Sequence, residues 1–309
     1  MIKRLFIFLI FSTSLISAQV DYSDSWEDFF SYNNVKDFIK SENILYALSD
    51  NAIFTYDFTT QEINKLSSVQ GLSGETTSAI HYSTQSDRLV IGYKNGLVEV
   101  VDSDGSITIS ADILNFNQTG EKSINDIFEY QGKLYLATSF AIIEYDIDQL
   151  EFGDTFFIGN NSTDIKINEI VVLNDFIYAA TERGIYKADI NNANLIDFNN
   201  WNLISSVNNN YSNIIIFNSK IYTTLNKKLY EVTETNEIVL IEDYSSPIVS
   251  LKGSSTNLSV VLNSSVNIYS TNFDLVLQNN ADINSDYILN TAFAENNQLF
   301  LATKQFGIL

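Results

Sequence analysis

The side chains able to do chemistry are few, and their spacing argues against catalysis. The chain carries one histidine, His81, and no cysteine. That removes thiol nucleophiles, disulfides, zinc thiolate sites and a lipid-bearing cysteine. His81 could serve as the base of a Ser-His-Asp triad, but no G-x-S-x-G elbow presents a serine to it, so it reads as a structural or solvent-facing residue. There is no phosphate-cradling glycine loop and no H-E-x-x-H pair. A glycosidase-like carboxylate pair stays open among the 38 acidic residues, because that pairing is made by the fold and not by sequence distance. Asp102-Ser103-Asp104-Gly105 looks like part of a calcium loop but lacks the glutamate that would close one. It reads as a polar turn, as do the acids Asp57, Asp146, Asp148 and Asp189. The expectation is no catalytic residue, no metal ligand and no cofactor, with binding residues unassigned.

The elements that would have to position any site are repeats. The stretch Ile177 to Asp189, IYAATERGIYKAD, recurs from Leu45, Leu89, Leu134, Ile221, Leu258 and, cut short, from Leu299 to Leu309. Successive copies start 44, 45, 43, 44, 37 and 41 residues apart, the signature of one supersecondary unit per copy. Each copy reads as a β-hairpin whose first strand is apolar on both faces, and therefore covered on both sides. A turn follows at Glu182-Arg183-Gly184, where Gly184 can supply positive φ. Asn95-Gly96 is the strongest of these turn signals, Lys228 breaks the pattern, and the last copy shifts its glycine to Gly307.

A lead-in strand precedes each hairpin: 35–39, 78–82, 124–130, 167–173, 213–217 and 249–253. A fourth strand follows it: 62–66, 106–110, 154–158, 200–204, 237–241 and 275–278. Four short antiparallel strands per unit of this length define a propeller blade. The expected fold is all-β, a seven-bladed β-propeller over residues 35–309 with an incomplete seventh blade. An open half-blade invites association along its unpaired edge. Strands from residues 20–34 could complete it, or the sequence is a fragment of something longer; the fragment is the favoured reading. The loop Gln70-Gly71-Leu72-Ser73-Gly74 reads as an interblade connection, with a rim on one propeller face as the functional alternative.

Composition narrows the partners. A formal net charge of −21 sets the chain against nucleic acid, which needs clustered Lys and Arg. At the N-terminus, Lys3 and Arg4 precede an apolar run, Leu5 to Ile16, too short to span a bilayer. Residues 1–18 therefore read as a secretory signal cleaved near Ala18-Gln19. Residues 19–34, with Trp26, Phe29, Phe30 and Tyr32 set among acids, read as an outer strand or a cap. The mature protein is expected outside the cytoplasm.

Several segments resemble the N-terminal propeller of the PorZ-type proteins of the type IX secretion system. They are FSYNNVKDFI (30–39), EINKLSSVQGLSGE (62–75), LVIGYKNGLVEVV (89–101), LEFGDTFFIG (150–159), IYAATERGIYKAD (177–189) and NLIDFNNW (194–201). The resemblance runs from about Trp26 to Trp201 and is carried by structural segments. It implies two seven-bladed propellers followed by a small C-terminal β domain, of which this chain covers the first propeller. It further implies a non-enzymatic component of the cell-surface attachment complex, placed at the outer membrane surface after transit through the periplasm. The implied partners are a sortase-like protease, outer-membrane β-barrel components and anionic lipopolysaccharide. The acidic propeller is a poor electrostatic match for that glycan, so binding would need a basic patch, a bridging cation or the domains not covered. Propellers of this look also precede hybrid histidine kinases, so a glycan-sensor ectodomain is the alternative. A propeller glycosidase or lyase is a third reading, unsupported by any motif.

Overall fold

The computed structural model describes residues 30–205, 208–279 and 287–309. The expected signal sequence over residues 1–18, its expected cleavage point and most of the 19–34 segment lie outside the described residues. Six four-stranded antiparallel sheets follow one another along the chain, each in sequential strand order from inside to outside. They span residues 37–66, 77–110, 124–156, 167–203, 214–243 and 248–279, and are called blades 1 to 6. Of the seven expected blades, six are four-stranded, and the last repeat is the one that differs. Among the described residues, Leu289–Glu295 and Gln298–Thr303 form a two-stranded sheet, with a single bridge from Ala302 to Ile308 beyond it.

Local sequence explains the hairpins. Four turns between the first and second strands place two successive residues at positive φ: Gln131-Gly132, Asn174-Asp175, Asn218-Ser219 and Asn296-Asn297. That is the backbone of a type I′ turn, which matches the twist of the flanking strands and favours Asn, Asp and Gly. Gly96 at φ 91° and Gly184 at φ 141° take the left-handed conformations expected of them.

Packing explains the double-sided apolar strands. In blade 3, Leu134, Tyr135, Leu136, Ala137 and Thr138 are all buried, so this strand is covered on both faces as its sequence predicts. The core is divided into seven apolar clusters, one at each junction between neighbouring sheets. One of them joins the two-stranded sheet to blade 1 through Phe38, Ala47 and Ala302, flanked by Phe54, Phe58, Phe293 and Phe300. The ring is therefore closed at its inner side. Val35 N–H donates to Thr303 C=O at 2.9 Å there. The corresponding bond between blades 4 and 5 runs from Tyr211 N–H to Thr181 C=O at 3.1 Å.

Candidate functional site at the axial channel

The seven lead-in strands stand innermost and surround a cavity of about 440 Å³. Two positions of these strands recur as seam-makers. At the second position, Asn125 Nδ2 donates to Ile167 C=O at 2.7 Å and Asn168 Nδ2 to Tyr211 C=O at 2.7 Å. Lys36 Nζ reaches Thr77 C=O at 2.8 Å, and Asn290 Nδ2 reaches Val35 C=O at 2.7 Å. Each bond satisfies the carbonyl of the next sheet, where an unmet acceptor would be costly. The Asn290 bond joins the two-stranded sheet to blade 1.

At the third position stand carboxylates. Asp126 accepts from Ile170 N–H at 3.0 Å. Glu169 accepts from Ile214 N–H at 2.7 Å and from Asn213 Nδ2 at 2.7 Å. Asp37 meets Lys252 Nζ at 2.5 Å, and the same ammonium donates to Phe38 C=O at 2.8 Å. That pair ties blade 6 to blade 1 across the inner edge of the two-stranded sheet, where Lys40 also meets Glu295 at 3.3 Å.

Burial inside the ring pushes Asp126 up to about 6, against the pull of the Ile170 and Ile127 N–H groups. Burial, then the charge of Asp126, pushes Glu169 up to about 8. The two carboxyls cannot both ionise cheaply near neutral pH, because like charges in a shared, poorly solvated space disfavour the second ionisation. This is the carboxylate pairing that sequence distance could not decide. Both groups are nonetheless committed to backbone donors of the next blade, so the pair serves the seams.

The remaining candidates fall into place as structure. His81 Nε2 lies 2.8 Å from Glu129 Oε2, and Ser83 Oγ donates to Glu129 Oε1 at 2.9 Å. The serine and the histidine thus share an acceptor across the blade 2 to blade 3 seam, which is not a nucleophile-base arrangement. The His81 contact holds the Glu129 carboxyl below its ordinary range.

Asp57, Asp146 and Asp189 each accept backbone N–H groups two or three residues on, at 2.7–3.2 Å; Asp148 lies inside the Asp146 turn. Asp102 pairs with Arg88 at 2.6 Å, and Asp104 accepts from Ser106 N–H at 2.9 Å. The Gln70 to Gly74 loop is pinned by Asn51 Nδ2 on Gly74 C=O at 2.8 Å and by Ser73 N–H on the buried Glu99 at 2.8 Å. Among the described residues no group of three or more His, Asp or Glu is arranged to hold a metal, and no helix is long and apolar enough to cross a membrane.

Successive four-stranded antiparallel sheets arranged around an axial channel define a β-propeller, and the seam bonds that recur from blade to blade define one built from repeats. Residues 45–202, about half of the chain, match the profile of the N-terminal β-propeller domain of PorZ from the type IX secretion system. The chain belongs to that family.

Among solved structures, PorZ of Porphyromonas gingivalis, described as an essential bacterial surface component of that system, superposes with a TM-score of 0.74 at 17% identity. The match covers 91% of this chain and 37% of PorZ, so the chain spans little more than a third of that protein's length. The extracellular domain of a putative hybrid two-component system from B. thetaiotaomicron gives a TM-score of 0.65 at 14% identity, covering 89% of this chain and 38% of that one. A β-propeller domain from Myceliophteria thermophila gives 0.67 at 11% identity, covering 92% and 98%. At these identities the three likenesses speak to fold alone. A search of curated proteins returned no match.

Proposed function

We propose that this chain is the first propeller of a type IX secretion surface component, acting as a non-enzymatic scaffold that helps deliver anionic lipopolysaccharide to a sortase-like partner. The observation that carries the reading is family membership over residues 45–202. A channel whose titratable groups are spent on interblade bonds supports the absence of catalysis. In this reading the propeller is seven-bladed, the two-stranded sheet being the inner half of its seventh blade. Residues 1–18 are removed on export, and the mature protein works at the outer membrane surface with the sortase-like protease and outer-membrane β-barrel components.

Because the chain is strongly acidic, holding the glycan needs a local basic patch, a bridging cation or the domains that this chain does not cover. Deleting the gene should leave cargo synthesised and exported but unattached to the cell surface. The similarity to a two-component ectodomain favours one alternative, a glycan sensor. A sensor deletion would leave attachment normal while transcription of polysaccharide-use genes failed.

A further inference from the structure

We propose that the cleft between the outer parts of blades 4 and 5 is a binding site for an uncharged sugar, taken as a single hexopyranose unit. The cleft has a volume of about 480 Å³, within the range of small-ligand sites. It exists because blade 4 departs from the common plan. Its fourth strand is Asn202–Leu203 alone, where those of the other five blades have four to six residues. The connection before it, Ile190 to Trp201, has twelve residues against four or five in the other blades. Ala188 and Asp189, at the end of the third strand Gly184–Asp189, therefore border the cleft without a fourth-strand partner.

The long connection is held firmly, and its apolar and polar residues do different things. Leu195 and Trp201 are buried in the seam with blade 3, and Trp201 Nε1 donates to Leu195 C=O at 2.9 Å. Asp197 caps the short turn Phe198–Asn200, accepting from Asn199 N–H at 3.0 Å. Those contacts fix the loop, yet five of its twelve residues are asparagine. Asn192 and Asn200 line the cleft with Asn202 and, from blade 5, Asn236.

These amides present a mixture of donors and acceptors. Asn192 Oδ1 accepts from Asn194 N–H at 2.9 Å, which leaves its Nδ2 as a donor. Asn200 Nδ2 is spent on Asn194 C=O at 2.7 Å, which leaves its Oδ1 as an acceptor. A hydroxyl both donates and accepts, so a polyhydroxylated ring matches this lining. An anion would need donors alone, and a cation acceptors alone. The charges agree, because the lining carries one of each sign, Lys187 and Asp189. An uncharged ligand also escapes the repulsion that an acidic chain exerts on an anion.

An aromatic wall stands beside the amides. Tyr178, Lys187 and Asn202 pair across adjacent strands. Phe176, two residues from Tyr178, shares the face that Tyr178 turns to blade 5. Lys187 Nζ lies 4.1 Å over the Phe176 ring and 5.0 Å over that of Tyr178, and donates to Asn236 Oδ1 at 2.8 Å. The ammonium thus ties the two walls together and steadies Phe176, which is still 37% exposed. That ring offers an apolar surface for the C–H side of a pyranose, while the amides take its hydroxyls.

NMR titration of the full chain with the methyl glycosides of glucose, galactose and mannose, read at the asparagine side-chain amides, tests this. At least one glycoside should bind in the millimolar range and shift the amides of the cleft, with an affinity that salt does not change. Asn202→Ala and Phe176→Ala should each weaken that binding by about three- to tenfold. The Asn202 side chain is exposed, so that variant should keep the parent unfolding midpoint and decides the matter even if Phe176→Ala does not fold. No binding of any of the three glycosides would overturn the proposal, as would binding that Asn202→Ala leaves unchanged. Binding of methyl glucuronide in place of the uncharged glycosides would overturn it too, because the ligand would then be an anion. The site stands apart from the scaffold reading, and each outcome leaves that reading to its own test.

Discussion

Replacing Asn290 by alanine tests whether the ring is fastened at its last junction as it is elsewhere. Asn290 Nδ2 serves Val35 C=O at 2.7 Å and Asn34 Oδ1 at 3.1 Å. Asn168, inside the ring, serves Tyr211 C=O at 2.7 Å and Asn210 Oδ1 at 2.8 Å. The two sites have the same construction, and Val35 and Tyr211 are both buried. Alanine leaves a buried carbonyl without its donor, at a cost of about 1–3 kcal/mol. Asn290→Ala and Asn168→Ala should therefore lower stability by similar amounts. The two sites share no partner, so the double variant should show the sum of the two effects. Urea unfolding of the full chain reads this as a lower midpoint with unchanged slope. A silent Asn290→Ala beside a destabilising Asn168→Ala would refute the closed ring. A reduced slope in Asn290→Ala alone would also count against the argument, because it would mean that the native ring had opened.

Three further outcomes follow from side-chain geometry. Asp126 and Glu169 have native pKa values raised above their unfolded ones, so the folded state holds extra protons and stability falls as pH rises from about 4 through about 8. The loss should be on the order of a few kcal/mol. It should shrink in Asp126→Asn, which keeps an acceptor for Ile170 N–H but removes the repelling charge; unfolding midpoints at pH 5 and pH 9 measure it. Gly92→Ala should destabilise by roughly 1–3 kcal/mol through overpacking, since a methyl there would sit 2.7 Å from Ile124 Cγ2, and thermal unfolding reads the change. Tyr93→Phe removes the hydroxyl that binds the fully buried Glu99, leaving that side chain, among the described residues, with Ser73 N–H as its donor. The cost should be about 1–3 kcal/mol, by urea titration.

The repeat and the two-sided burial of its second strand were legible because both are local. A run such as Leu134 to Thr138 carries its environment in its residue types, and the Asn-rich turns carry their φ angles in theirs. Even the inter-sheet ladder leaves a trace in the sequence. Ile124-Asn125-Asp126, Ile167-Asn168-Glu169 and Leu289-Asn290-Thr291 repeat one pattern at the start of the lead-in strands, and the asparagine is the residue that crosses each seam. The contact of His81 with Glu129 was not legible, because it joins residues in successive repeats with no local signal at either. Nor was the coupling of Asp126 to Glu169, since two acids look alike until the ring sets their spacing and strips their water. The last repeat reads like the others through Leu299 to Thr303, and its sequence alone did not show that a two-stranded sheet could still complete the inner circle.

The scaffold reading is tested most directly by affinity capture of the full-length protein from the envelope of its own host after mild crosslinking. A sortase-like protease and outer-membrane β-barrel components should be recovered with it. Lipopolysaccharide should be retained by the full-length protein and held weakly or not at all by residues 19–309. Recovery with a histidine kinase and no attachment-complex component would contradict the account, as would tight, salt-insensitive lipopolysaccharide binding by residues 19–309 alone.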